Sequence, residues 1–327
     1  MTSGDGNSFR ETILYYSNFG NQTETVQVGA SPQGKDLHFT IGYDMFDRQT
    51  GESLPLPEGN LQHYGDSYPY TRYVYGNSSL NRIREVYGPG AAWQENGKSV
   101  KTGYFTNTAS GDMSCAAYHA EDTGNDVKLI RKGMYAAGEL TVTKTTDEDG
   151  KITYAFTDFE GKLLLTRRMN GTEPHDTYIV YDNWGRKRIV LPPLAADELT
   201  ATASWLCNNS DAVKKYGYVY RYDGRDRVIE KRLPGCDPIH FVYDRSDRLI
   251  LKQDGNNRRD GKWQYYQYDG LGREVIWGIL SSSANREEWA TQFRDTVLCE
   301  RFAGTEQTEN YGYTNTSAFN ENRKPLI

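Results

Sequence analysis

Short apolar-polar alternations, each closed by an aromatic residue and a turn, run along most of this chain. A period of two is the mark of a half-buried β-strand. Residues 11–16 and 22–28 carry it on either side of Ser17-Asn18-Phe19-Gly20-Asn21. Residues 37–43 lead into a second hairpin, whose outgoing arm ends in Leu54-Pro55-Leu56-Pro57. Residues 58–70 read as a longer polar loop, and 70–75 and 83–87 flank a turn at 76–82. Gly88-Pro89-Gly90 closes that pair, with Trp93 just beyond.

From 95 to 150 the pattern loosens. Strands are predicted at 98–105, 127–134 and 139–145, and residues 109–126 hold no sustained helical period. Asp147-Glu148-Asp149-Gly150 is dense in acid, but it lacks the spacing of a calcium-binding loop and reads as a hairpin turn. Residues 151–156 and 162–168 flank Thr157-Asp158-Phe159-Glu160-Gly161. Residues 178–181 and 187–191 follow. The segment 194–216 is the best helical candidate, a short surface helix or two with Asp197-Glu198 suited to a first turn. Three strand pairs come next, 218–222 with 228–233, 239–243 with 249–252, and 263–268 with 274–279. A polar loop is expected at 253–261 and a helix at about 284–298. The tail, 304–327, resembles an unfinished strand pair with a frayed end.

The turns share a formula. Tyr268-Asp269-Gly270-Leu271-Gly272-Arg273 is its fullest form, and Tyr181-Asp182-Asn183-Trp184-Gly185-Arg186 is a second. Tyr43-Asp44 with Arg48, Tyr222-Asp223 with Arg227, and Tyr243-Asp244 with Arg248 are further copies. Each part has a physical reason. Tyrosine favours strands and pairs an apolar ring with a polar tip. Aspartate opens a turn by accepting from amides beyond it. Glycine takes the positive φ of a tight turn. Arginine can lie along the tyrosine ring or pair with the aspartate. Anchors at Tyr222, Tyr243 and Tyr268 are 21 and 25 residues apart. Such a unit holds one hairpin and cannot bury a core without neighbours. The predicted class is therefore all-β: antiparallel hairpin repeats forming an extended, curved sheet or partial shell, with short helical insertions. Four segments are expected: hairpins over 1–94, a divergent β-rich insert over 95–150, a repeat sheet over 151–303, and the polar tail.

Composition narrows the functional classes. Only 37% of the 327 residues are hydrophobic, yet 25 are tyrosine, and the aromatic share of 13% argues against disorder. Lys and Arg number 38 against 44 Asp and Glu, a net charge of -6, which gives no support for a nucleic-acid surface. No apolar run is long enough for a spanning helix, and residues 1–10 carry no signal-peptide core. If the native protein is secreted, this chain is a piece of it. Cys115, Cys207, Cys236 and Cys299 are widely spaced, so free or buried thiols are expected, with a disulfide as the alternative.

The turn formula resembles the YD-repeat, or RHS, family. The opening segment is similar to that of large RHS-type surface proteins of the Bacteroides group, through Thr25-Val26-Gln27-Val28-Gly29-Ala30-Ser31-Pro32, Gly34-Lys35-Asp36, Leu80-Asn81-Arg82-Ile83 and Tyr87-Gly88-Pro89-Gly90. The matches cover most of 11–93 and 153–279. The resemblance implies long antiparallel sheets that wind into a secreted or surface-exposed shell, which can enclose a C-terminal toxin or effector. It implies as partners the remainder of a larger parent chain or its effector.

Chemistry is sparse. None of the phosphate-loop, dinucleotide, zinc-protease or serine-hydrolase motifs occurs. His38, His63, His119, His175 and His240 are scattered, and no cofactor is expected. The repeat aspartates have a sufficient role in turns. A non-catalytic scaffold is thus the expectation. Trp93, Trp184, Trp263 and Trp277 are the candidates for a glycan- or protein-binding surface, with core filling as the alternative. A glycoside hydrolase would require two carboxylates about 5–9 Å apart in a cleft. Exposed sheet edges make self-association an expectation as well.

Overall fold

A computed structural model describes residues 11–304, 312–314 and 323–325. The chain forms two compact units, and it passes between them after residues 113, 135 and 175. The first unit takes residues up to 113 and 136–175; the second takes 114–135 and the rest.

In the first unit the chain lays down β1 (Thr12–Tyr16), β2 (Gln22–Gln27), β3 (Leu37–Tyr43), β4 (Gln49–Ser53), the short β5 (Leu56–Pro57), β6 (Tyr70–Tyr75) and β7 (Ile83–Tyr87). Helix α1 (Ala91–Gln94) then leads to β8 (Val100–Thr106). Two strands that belong to the second unit follow, β9 (Ala116–Asp122) and β10 (Val127–Met134). The chain returns with β11 (Thr141–Thr146), β12 (Ile152–Thr157) and β13 (Leu163–Asn170). Pairing is antiparallel throughout this unit: β1 to β2, β2 to β3, β3 to β4, β4 to β6, β6 to β7, β7 to β8, β8 to β11, β11 to β12 and β12 to β13. Val142, Tyr154, Phe156 and Leu165 are buried between its strands.

The remainder builds the second unit. β14 (Glu173–Tyr181) and β15 (Lys187–Leu191) precede α2 (Pro193–Glu198), β16 (Ser204–Leu206) and α3 (Asp211–Tyr216). Then come β17 (Tyr218–Tyr222), β18 (Val228–Arg232), β19 (Ile239–Tyr243), β20 (Leu249–Gln253), α4 (Gly255–Arg259), β21 (Lys262–Tyr268), β22 (Glu274–Ser281), α5 (Arg286–Phe293) and β23 (Arg323–Pro325). β14 through β22 pair in antiparallel succession, except that β16 joins β10 and β9 in a separate three-stranded sheet.

β21 shows how the pattern works. Its residues alternate, with Trp263, Tyr265 and Gln267 buried. Trp263 and Tyr265 pack with Val242, Ile250, Leu251, Ile276 and Leu280, and α5 covers the cluster with Trp289 and Phe293. Burying each such side chain contributes about 1.5–3 kcal/mol.

The all-β class with short helical insertions holds. Two local expectations change. The segment 253–261 is not a loop: Asp254 caps α4 by accepting from the Asn257 amide at 2.8 Å. Of the short helix or two expected in 194–216 there are two, α2 and α3, separated by β16, but they are not confined to the surface: Ala195, Ala196, Ala212 and Val213 are buried. Helix α5 falls within the expected 284–298. Asn285 and Glu288 close its first turn as a capping box, a signal readable in the sequence as Asn-x-x-Glu. Much of the expected strand pair in the tail lies outside the described residues.

Candidate functional site

The repeated turn has one geometry. In the Asp244 copy, the Asp244 amide donates to the Arg248 carbonyl at 3.0 Å, and the Asp247 amide donates back to the Asp244 carbonyl at 3.2 Å. Asp244 Oδ1 accepts from the amides of Ser246 at 2.9 Å and Arg248 at 3.0 Å, and Oδ2 accepts from Arg248 Nε at 2.9 Å. The same bonds recur around Asp44, Asp182, Asp223 and Asp269. One aspartate thus satisfies two amides and a guanidinium. The strand register then slips by one residue beside the tyrosine, at Tyr43, Tyr181, Tyr222, Tyr243 and Tyr268. This is the hairpin in which a type I turn is followed by a left-handed residue.

That left-handed position is the fourth of the turn. Gly185 and Gly272 hold it with φ of 74° and 79°. Asp47, Asp226 and Asp247 hold it in the other copies, with φ of 57°, 61° and 61°. A residue with a Cβ there costs about 1–2 kcal/mol. Each of these aspartates recovers an interaction: Asp47 accepts from Asn21 at 3.0 Å, Asp226 from Arg186 at 2.9 Å, and Asp247 from Arg227 at 2.8 Å.

Those bonds join one turn to the next. Five tyrosine hydroxyls at these positions donate to the carbonyl of the first residue of the preceding return strand. Tyr43 reaches Gln22, Tyr75 reaches Gln49, Tyr222 reaches Lys187, Tyr243 reaches Val228 and Tyr268 reaches Leu249, all between 2.8 and 3.0 Å. Each arginine covers the following tyrosine ring. Arg48 lies over Tyr75 at 4.6 Å, Arg186 over Tyr222 at 5.3 Å, and Arg248 over Tyr268 at 5.2 Å. Such contacts contribute about 0.5–1 kcal/mol each at partly exposed sites. Arg273, in the last of the described copies, has its side chain 65% exposed, against 15% for Arg248.

The bonds set the charge states. The Arg48 guanidinium holds the Asp44 carboxyl below its ordinary value, and for Asp269 the Arg273 amide does most of this. At Asp223 burial pushes the pKa up, but the bonds from Arg227 outweigh it and the net shift is downward. Burial pushes the phenols of Tyr75, Tyr222, Tyr243 and Tyr268 up, so they remain hydrogen-bond donors.

The set has further members; the turns at 147–150 and 157–161 are read in the sequence, whereas the role of two serines is not. Ser17 and Ser31 take the aspartate role, accepting from the amides of Asn21 at 3.2 Å and Lys35 at 2.7 Å. Asp147 and Asp158 make the same turn with lysine in place of arginine. Arg188 is fully buried, with Nη2 2.5 Å from Asp122 and Nη1 3.7 Å from Asp182. Nothing local distinguishes it from an exposed strand arginine; only the register turns it inward.

The tryptophans separate. Trp184 is 83% exposed at its turn tip, and Trp93 and Trp277 are partly exposed. Trp263 is completely buried in the core, which corrects its place among the surface candidates. Phe19, Phe46 and Leu271 occupy the same third turn position as Trp184 and are likewise exposed. The Cys115 and Cys207 side chains are buried; those of Cys236 and Cys299 are exposed. Burial pushes the Cys207 thiol up to about 12, so it stays protonated. Among the described residues no His, Cys, Asp or Glu group is placed to hold a metal ion.

Residues 1–106 match the model of a family described as a domain of unknown function, DUF6443. No curated protein matches the sequence. Among solved structures the chain is similar to TcdB2-TccC3-TEV, with a TM-score of 0.52 at 12% identity over 90% of this chain. It is also similar to a chain of the Photorhabdus luminescens Tc holotoxin pore, with a TM-score of 0.51 at 11% identity over 89%. At this identity the likeness is one of fold. The chain spans 14% of the length of each of these structures' chains. Among the described residues no helix is long and apolar enough to cross a membrane.

Proposed function

We propose that this chain is a structural wall segment of a larger, secreted or surface RHS-type protein, with no catalytic centre of its own. The observation that carries this reading is the use of the repeat residues. Tyrosine, aspartate and arginine of these turns engage their own turn or a neighbouring one, as Tyr222, Asp223, Arg227, Tyr243 and Asp244 do. Groups held this way build architecture and are poorly placed to act on a substrate. The YD-repeat pattern and the small share of the similar toxin chains that this chain spans support the same reading. In a longer protein the remainder of the chain or an enclosed effector is the natural partner.

The test is the size of the native product. An antibody raised against residues 11–304 is expected to detect a polypeptide several times longer than 327 residues in the producing cell or its medium. A single species the size of this chain would end the proposal.

A second reading rests on Phe19, Phe46, Trp184 and Leu271, the exposed apolar residues at the turn tips. They suit packing against another polypeptide. A glycan platform is less well supported, because Trp263 is buried.

A further inference from the structure

Helix α5 faces the Tyr222 turn across a cavity of about 340 Å³. Arg286, Ala290 and Arg294 are four residues apart, so they share one side of the helix, and all three line this space. Ala290 is small and leaves room between the two arginines. Arg225 and Arg227 line the opposite wall. Ile229 and Phe241 add apolar surface.

The charges around this cavity do not balance. Arg225 and Arg227 share Asp247 at 2.8 Å, and Arg227 also pairs with Asp223 at 2.7 Å. Arg286 pairs with Glu287 at 2.8 Å. Arg294 forms no ion pair among the described residues and is exposed. Arg225, Arg227, Arg286 and Arg294 thus stand against Asp223, Asp247 and Glu287, one positive charge in excess. The Arg286 side chain is only 13% exposed, while the Glu287 side chain is 67% exposed. The cation is therefore the more desolvated partner and the more responsive to a new anion. The field extends to His240, whose pKa is lowered to about 4 by burial first, and then by Arg258 and Arg286.

We infer that this cavity binds a small oxyanion, a phosphate or carboxylate head carried on a short apolar or ring-shaped body. Arg294, which forms no ion pair among the described residues, holds the head through charge-assisted hydrogen bonds. Ile229, Phe241 and Ala290 take the body. The volume sits at the lower end of the about 300–1,000 Å³ seen for small-molecule sites. The wall opposite α5 is built from turn residues: Arg225 and Arg227 keep their own pairing with Asp247 and Asp223, which leaves Arg294 as the cation in excess.

Calorimetric titration of the whole chain with inorganic phosphate, phenyl phosphate, benzoate and benzyl alcohol tests the inference. Phenyl phosphate is expected to bind more tightly than inorganic phosphate, because the body adds apolar contact. Comparing it with benzoate decides between a phosphate and a carboxylate head. Neutral benzyl alcohol is expected not to bind. Arg294→Ala is expected to weaken anion binding by about tenfold, and added salt to weaken it further. Arg259→Ala, in a different cavity, is expected to leave binding unchanged. Should Arg286→Ala destabilise the fold, Arg294→Ala on the exposed helix end remains decisive. No heat with any anion, equal affinity in Arg294→Ala, or equal binding of benzyl alcohol and phenyl phosphate would overturn the inference.

Discussion

The Arg227 guanidinium lies 4.9 Å from the centre of the Tyr243 ring, while the Tyr243 hydroxyl donates to the Val228 carbonyl at 2.9 Å. One residue pair thus joins two successive hairpins by a ring contact and a hydrogen bond. Tyr243→Phe keeps the first and removes the second, and is expected to cost about 0.5–1.5 kcal/mol. In a double-mutant cycle of Arg227→Ala and Tyr243→Leu, a coupling of about 0.5–1 kcal/mol is expected from denaturant melts. Strict additivity would show that the ring contact contributes nothing.

The fourth turn position separates backbone strain from side-chain bonding. Gly185→Ala puts a Cβ at φ of 74° without giving anything back, and a loss of about 1–2 kcal/mol is expected. Asp226→Gly relieves strain but forfeits the bond from Arg186, so the change is expected to stay within about 0.5 kcal/mol. Thermal melts of both variants compare the two directly.

Arg188 is a buried cation between Asp122 and Asp182. Arg188→Ala leaves a void and takes the guanidinium from Asp122, while Asp182 keeps Arg186, and is expected to cost about 2–5 kcal/mol. Arg188→Met fills the space, so its loss, read from urea midpoints, is expected to be clearly smaller. Equal losses would contradict the packing argument.

Stability has two acid limits. His240 is harder to protonate in the fold than its ordinary value of 6.5, so the unfolded chain binds protons first as pH falls. Stability is expected to decline from pH 6.5 towards about 4, and His240→Gln is expected to flatten that part of the curve. Glu230 lies 3.8 Å from the imidazole but is engaged by Arg221 at 2.9 Å, and so gives it little support. The lowered carboxyls of Asp44, Asp223 and Asp269 act the other side of this window. Their contribution is present above the ordinary aspartate value of 3.8 and is lost as pH falls through their depressed values.

Trp184 and Trp263 are opposites. Trp184→Ser is expected to change stability by less than about 0.5 kcal/mol, whereas Trp263→Ala is expected to cost about 3–5 kcal/mol. Acrylamide quenching checks the exposure: the readily quenched fraction of the emission is expected to fall in Trp184→Ser.

The hairpins were legible because their chemistry is local. Tyr268, Asp269, Gly272 and Arg273 sit within one turn, and the sequence alone presents an aromatic, an acceptor, a flexible backbone and a cation in order. The role of Ser17 and Ser31 was not legible because a serine three residues before a glycine is common, and only the amide bonds reveal it. The chain's passage between two units was not legible. β10 pairs with β16 through Ile130 and Ser204, and no local pattern announces a contact at such separation. The inward turn of Arg188 depends likewise on register. Trp263 shows the limit for aromatic residues, since a tryptophan on a strand has the same composition whether its face is wet or dry.

Turn-to-turn contacts in this chain all run one way. A tyrosine hydroxyl reaches back to the previous copy, and an arginine reaches forward to the next. The two ends of such a series are therefore different surfaces. Two molecules brought together by like ends would set arginine against arginine or tyrosine against tyrosine, and neither repeats the joint. Only addition in the same sense does, which is a heterologous, open-ended mode of extension rather than a two-fold one. The series has a polarity, and among the described copies the exposed Arg273 lies farthest forward.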